Sequence, residues 1–265
     1  MTEDDTGDGF PAEADGWSTL AEGWAERWGG VSAPARRALL SACAIGPGTR
    51  VLDVGCGSGE FLAELVAAGA QAIGVDSSSA MVALAARHGE AREADATALP
   101  FADDTFEVVT AVTVLHLADD LDAAVREGAR VLQPGGLLGV AEWADTGRND
   151  LAVIEQALEA AFDPPADEDR PEPGRAPAEA GPSHPSALDL AVEAAGLRPV
   201  SRGTVEVQLR AAGPDELAAT VLLGEDEATI ADLSDVIARA AEPFRRTDGG
   251  YDLRSTFRWR VDARR

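Results

Sequence analysis

Apolar and polar positions along the chain switch repeatedly between a period of two and a period near 3.6. Val51 to Val54 is a short apolar run of strand type; it passes through Gly55, Gly57 and Gly59 and continues at helical spacing through Phe61, Leu62, Leu65 and Val66. Gly69 stands where a helix over 60–68 is capped, and a second strand, Gln71 to Val75, ends on Asp76. Ser77, Ser78 and Ser79 then cap a helix that begins near Ala80. A strand over 108–114, a helix over 121–131 and a strand over 137–141 continue the alternation. A buried strand turning tightly into a helix is the first half of a βαβ unit, so the pattern predicts an α/β fold with a parallel sheet.

The flanks differ. Thr2 to Asp15 is polar and acidic and reads as a disordered tail (1–16). Trp17, Leu20, Trp24 and Trp28 then fall on one helical face, and a helix over 33–44 stops at Gly46-Pro47-Gly48. The core therefore spans 17–150. An amphipathic helix over 151–162 leads into a stretch rich in Pro, Ala, Glu and Gly, so that 151–185 reads as an insertion with a mobile end. Residues 186–265 return to the same domain: a helix over 186–195 capped by Gly196, a strand over 201–209, helices over 214–223 and 227–245 within an insertion at 213–246, and a last strand over 253–262.

Composition narrows the partners. The 265 residues carry a formal charge of −25, and all strong cations are arginine. Such a surface repels nucleic acid and anionic membrane, so neither is expected as a partner. The two cysteines suggest neither a disulfide framework nor a zinc site, and no apolar run approaches the roughly 20 residues that span a bilayer. The expectation is a cytoplasmic protein, monomer or homodimer, with no bound metal.

The glycine turn indicates a small-molecule site, because glycines let the backbone approach a ligand and the following helix offers free N–H groups. Its spacing is G-x-G-x-G, with Glu60 where a dinucleotide fingerprint has its third glycine, and no G-K-[ST] follows. Asp76, 21 positions after Gly55, is placed at a strand tip to accept from ribose hydroxyls. The stretch Asp53-Val54-Gly55-Cys56-Gly57-Ser58-Gly59 resembles the D-x-G-x-G-x-G signature of class I S-adenosylmethionine (SAM)-dependent methyltransferases. The run Ala94-Asp95-Ala96-Thr97-Ala98-Leu99-Pro100-Phe101 through Phe106 to Val109, then Leu115-His116 and Leu132-Gln133-Pro134-Gly135-Gly136, resembles the ubiquinone/menaquinone methyltransferase-like branch.

The resemblance covers 17–143 firmly and 186–209 loosely. It implies a Rossmann-like, mostly parallel seven-stranded sheet in the order 3-2-1-4-5-7-6, with helices on both faces and a helical lid over the acceptor. SAM is the implied cofactor and S-adenosylhomocysteine the product. Asp53, Gly55, Cys56, Gly57 and Gly59 are implied at its methionine end, Asp76 and Ser77 at the ribose, and Met81, Asp95, Ala96 and Thr97 around adenine, with Val112 nearby. Trp24 and Trp28 are expected to cap the cofactor, and Glu142 and Trp143 to face the acceptor.

Methyl transfer from a sulfonium needs alignment and exclusion of water more than acid–base machinery. A hydroxyl acceptor gains from a base, for which His116 is the first candidate, as base or orienter, and His184 the second. His88 reads as solvated, and Glu142 and Asp145 suit an amine or carbon acceptor. The pairs Asp103-Asp104 and Asp119-Asp120 read as a solvent turn and a helix cap, not as metal ligands. The expected activity is methylation of a small, uncharged or cationic organic molecule, O-methylation in bacterial natural-product biosynthesis first. N- or C-methylation and a non-methylating cyclase or decarboxylase on the same fold are the alternatives.

Overall fold

The computed structural model describes residues 14–144, 147–162 and 186–265. They divide into two compact units, the first built from 14–143, 186–205 and 257–265 and the second from 144–162 and 206–256.

The first unit holds the sheet. Strands β1 (Arg50–Val54), β2 (Gln71–Asp76), β3 (Glu90–Glu93), β4 (Phe106–Val112) and β5 (Leu132–Trp143) run parallel, and β7 (Tyr251–Ala263) pairs antiparallel with β5 from Leu137 opposite Ala263 to Trp143 opposite Phe257. With β6 (Arg198–Ala211) outermost, the order is 3-2-1-4-5-7-6, as the sequence resemblance implied. The central strands are buried along nearly their whole length, because helices cover a parallel sheet on both faces. Helices α1 (Ala14–Arg27), α2 (Ala33–Ala42), α3 (Glu60–Ala67), α4 (Ser79–Ala85), α5 (Leu121–Val131) and α7 (Ala187–Ala194) complete the unit. A core of Leu52, Val54, Val109, Leu132, Leu138 and Val140 is closed by Leu188, Ala191 and Val192 of α7.

The caps fall where hydroxyl and carboxylate side chains precede helices. Ser78 accepts from the Met81 amide, Asp120 from the Ala123 amide at 2.8 Å, and Ser186 and Asp189 form a reciprocal capping box. Asp103 is ion-paired with Arg130 and Asp104 with Arg264, and no cluster of metal-ligating side chains occurs among the described residues.

Several elements differ from the sequence pattern, four of them instructively. Helix α1 begins at Ala14, not after residue 16, with Asp15 in its first turn, where a carboxylate favours the positive end of the helix dipole. Strand β3 is Glu-Ala-Arg-Glu, three of its four residues exposed; as a polar edge strand it carries no apolar signal. Strand β5 starts at Leu132 and contains the Pro-Gly-Gly turn as an irregularity in its ladder with β4. Helix α9 (Glu227–Ala240) stops short of Arg245, because Pro243 begins a short 3-10 turn at 242–244.

In the second unit α6 (Leu151–Phe162) and α8 (Pro214–Val221) both pack on α9, around buried Ile154, Leu217 and Ile237. The described parts of the two insertions, separate in the sequence reading, thus belong to one body. No helix among the described residues is long and apolar enough to cross a membrane.

Candidate cofactor site

Beyond Val54 the chain turns through three left-handed residues, Gly55 at φ +64°, Gly57 at +53° and Gly59 at +95°. Each glycine is needed for a different reason. A Cβ on Gly55 would lie 2.1 Å from Cγ2 of Val114. One on Gly59 would lie 2.7 Å from the Ala85 backbone, so that glycine serves the packing of α3 on α4. At Gly57 the nearest atom is the Trp24 indole nitrogen at 3.8 Å, which leaves this face of the loop open to a ligand.

Two buried or half-buried carboxylates hold the loop. Asp76 at the tip of β2 accepts from the Gly57 amide at 2.9 Å through Oδ2 and from the Ser78 amide at 2.9 Å through Oδ1. Burial raises its carboxyl above the ordinary range, and these backbone bonds oppose the shift. Asp53 is 2% exposed and accepts from the Thr110 hydroxyl at 2.8 Å. Burial pushes its pKa up to about 7, against the Thr110 bond and the Arg36 charge. The Cys56 thiol is likewise raised by burial, with Asp53 and Asp76 adding to it, so it stays protonated and acts as packing.

A cavity of about 380 Å³ opens beside this loop in the first unit. Of the residues the sequence assigned to a cofactor, Asp53, Gly55, Cys56, Gly57, Asp76 and Ser77 line it. So do Met81, Asp95, Ala96, Val112, Trp24 and Trp28. The indoles come from α1, which is tied to the cap of α4 by a hydrogen bond of 2.9 Å between the Ser18 and Ser78 hydroxyls. Trp24 stacks on Trp28 with ring centroids 5.9 Å apart and meets Trp17 edge-on at 5.2 Å.

The remaining assignments fall elsewhere. Gly59 and Thr97 are not on the wall; the Thr97 amide and hydroxyl both donate to Asp95 Oδ1, at 2.7 and 2.8 Å, and so shape the Asp95 turn. His116 is exposed on a 3-10 turn at 115–117, which turns Leu117 rather than the imidazole onto the wall. Glu142 is ion-paired with Arg258 at 2.7 Å, and Trp143 packs on Phe257 at 4.5 Å; neither lines the cavity. His88 is exposed, as expected, and His184 and Asp145 lie outside the described residues.

The sequence reading missed Trp17, Arg36, Glu60, Leu117 and Asp119 as wall residues. Trp17 had a usable signal, its helical spacing to Trp24. Arg36 had none, since an arginine in an amphipathic helix reads as solvated. Glu60 accepts from the Ser58 hydroxyl at 2.6 Å, and a Cβ on Gly29 would fall 2.3 Å from its Oε1, so the turn after α1 packs directly on the Glu60 carboxylate.

The donor and acceptor set fits an adenosyl amino acid. Asp76 and Asp95 supply carboxylate oxygens for hydroxyls and an amine, the open face at Gly57 supplies backbone, and the indoles supply a flat apolar wall. The strand order is the one that the resemblance to class I SAM-dependent methyltransferases implied, and the cavity opens beside the loops that follow its first strands.

The comparisons with known proteins agree. Residues 52–140 match the family model described as a methyltransferase domain. Demethylmenaquinone methyltransferase of Mycolicibacterium paratuberculosis is 46% identical over 120 residues, 45% of this chain and 52% of that protein. An uncharacterized protein of Mycobacterium tuberculosis (strain H37Rv) is 41% identical over 124 residues, 44% of this chain and 45% of that one. The chain thus spans about half the length of the curated relatives it matches. A putative methyltransferase from Bacillus halodurans superposes with a TM-score of 0.57 at 17% identity, over 87% of this chain and 98% of that one. The [4+2]-cyclase SpnF superposes at 0.52 with 21% identity, over 87% and 80%. Over residues 52–140 the chain is thus similar to methyltransferase domains, and over about 120 residues to demethylmenaquinone methyltransferases.

Proposed function

We propose that the protein binds SAM in this cavity and transfers its methyl group to a small, uncharged or cationic organic acceptor. The observation that carries the reading is the convergence of Asp53, Gly57, Asp76, Asp95 and the α1 indoles, drawn from four separate stretches, on one cavity. SAM supplies a methyl group already activated on a sulfonium. The residues of the chain therefore bind and orient, and the indole wall excludes water. Five carboxylates on the wall, Asp53, Glu60, Asp76, Asp95 and Asp119, disfavour an anionic acceptor.

O-methylation in natural-product biosynthesis is the first reading, with His116 as the base, next in the chain to Leu117 and Ala118 of the wall. A quinone-type acceptor is the second, favoured by the identity to demethylmenaquinone methyltransferases over the motif half.

Calorimetric titration with SAM, S-adenosylhomocysteine and NAD tests the cofactor. Micromolar binding of the first two, lost in Asp76→Ala and Asp95→Ala, is expected; preference for NAD overturns the reading. Product formation from a panel of phenols, amines and quinones tests the reaction, and turnover without S-adenosylhomocysteine would indicate non-methylating chemistry. With a phenol, His116→Ala is expected to lower kcat and leave S-adenosylhomocysteine affinity unchanged.

A further inference from the structure

We infer that the cavity reads the charge on the cofactor's sulfur, holding the sulfonium of SAM more tightly than the neutral thioether of S-adenosylhomocysteine, an inference that rests on the SAM site proposed above. Methyl transfer changes that charge. The acceptor's lone pair forms the bond to the methyl carbon, the C–S bonding pair returns to sulfur, and the positive charge leaves with the methylated acceptor or as its proton. Cofactor and product otherwise differ by one methyl group.

The wall is acidic without compensation. Asp53, Glu60, Asp76, Asp95 and Asp119 line the cavity, and none of them is in an ion pair among the described residues. Their hydrogen bonds go to neutral groups: the Thr110 hydroxyl for Asp53, the Ser58 hydroxyl for Glu60, backbone amides for Asp76, and the Thr97 amide and hydroxyl for Asp95. Asp53 is 2% exposed, and its Oδ2 has no hydrogen-bond partner among the described residues. Elsewhere buried or half-buried acids are matched to arginine, Glu142 to Arg258, Asp150 to Arg148 and Asp262 to Arg260. Arg36 is the one cation on the wall, and Glu64, which is not on the wall, takes it at 2.9 Å. Its charge is thus offset from outside the cavity.

Uncompensated carboxylates around a cleft that excludes water attract a cation over several ångström. The indoles act in the same direction. Trp17, Trp24 and Trp28 share the wall, and an indole face draws a cation through its quadrupole. The Trp24 ring nitrogen lies 3.8 Å from where a Cβ on Gly57 would be, so indole and acids bound the same open side of the glycine loop. S-adenosylhomocysteine is a zwitterion without net charge, and SAM carries one positive charge more. Both features of the wall therefore favour the cofactor over its product, and the reaction itself loosens what remains in the cavity.

The test is calorimetry on the full-length chain with SAM, S-adenosylhomocysteine and sinefungin, which carries an ammonium in place of the methylsulfonium. At about 20 mM salt SAM and sinefungin are expected to bind about tenfold more tightly than S-adenosylhomocysteine, the size of one desolvated cation–π contact. At about 0.5 M salt the preference is expected to narrow to about threefold, as the carboxylates are screened. Trp24→Leu is expected to narrow the low-salt preference by about fivefold and Asp119→Asn by about twofold. If Trp24→Leu does not fold, Trp24→Phe, whose ring draws a cation less strongly, is expected to narrow it by about twofold. Wild type that binds S-adenosylhomocysteine as tightly as the two cations overturns the inference. So does a preference that neither substitution moves, because an equal loss for all three ligands would make Trp24 and Asp119 purely structural. Wild type that binds none of the three overturns the cofactor reading beneath it.

Discussion

The two sides of the cavity are built by different means. One side is the row of loops after β1, β2 and β3, where strand tips bring glycine backbone and short acids to the ligand. The other is α1 and the start of α2, which present indoles and a buried guanidinium. On the first side function follows from local chain geometry: a left-handed glycine, an acid at a strand end, a serine cap. On the second the wall depends on packing over distance, since Arg36 is held in place by Glu64, 28 residues away. The loop side is shaped by left-handed glycines and the Asp76 bonds to its backbone, and the helix side is held by side-chain bonds and indole packing.

The sharpest way to break this contrast is Gly55→Ala. The substitution forces a left-handed alanine and places its Cβ within 2.1 Å of Val114. A loss of about 3 kcal/mol or more in urea unfolding, together with loss of S-adenosylhomocysteine binding, is expected. A variant that folds and binds normally would show that the loop side is as adaptable as the helix side.

A second, comparable effect comes from Asp53. Its carboxyl ionises near 3.9 in the unfolded chain but only near 7 in the folded protein. The folded state therefore holds an extra proton between about pH 4 and pH 7, and stability falls as pH rises through that window, by up to about 4 kcal/mol, then levels off. Urea midpoints measured at pH 5 and pH 8 should show this fall in the wild type and a smaller one in Asp53→Asn. Equal slopes would mean that Asp53 is not the group concerned.

The smallest effect is expected on the helix side. Trp24→Leu removes one indole from a partly exposed stack, at a cost of about 1 kcal/mol, or roughly fivefold in S-adenosylhomocysteine affinity, with little change in unfolding. A loss as large as that for Gly55→Ala would erase the contrast between the two sides.

The same contrast explains what the sequence discloses. Strands β1, β2 and β4, the glycine turn and Asp76 are legible because their residue types follow from burial, backbone conformation or position at a strand end, whereas Asp53 and Asp95 are reached through the family resemblance. Strand β3 is not, since an exposed edge strand needs no apolar residue. Arg36 and Glu60 are not, because their roles depend on partners that only the folded chain supplies: Gly29, Ser32 and Glu64 for the one, Ser58 and Gly29 for the other. His116 shows how finely placement depends on the fold. The motif around it is legible, yet one residue of rotation in a 3-10 turn decides which side chain reaches the wall.

The antiparallel pairing of β5 with β7 has a consequence for how the chain comes to be folded. Glu142 and its partner Arg258 are 116 residues apart, whereas β1, β2 and β4 find their neighbours within a much shorter span. During synthesis the parallel strands are complete while the outer edge of β5 still lacks its hydrogen-bonding partner. That edge is Leu-Leu-Gly-Val-Ala, apolar and uncharged, a sequence prone to pair with any strand at hand. Until β7 is made, this apolar border has no native strand to pair with, and slow translation or crowding at that stage should favour aggregation over the native sheet.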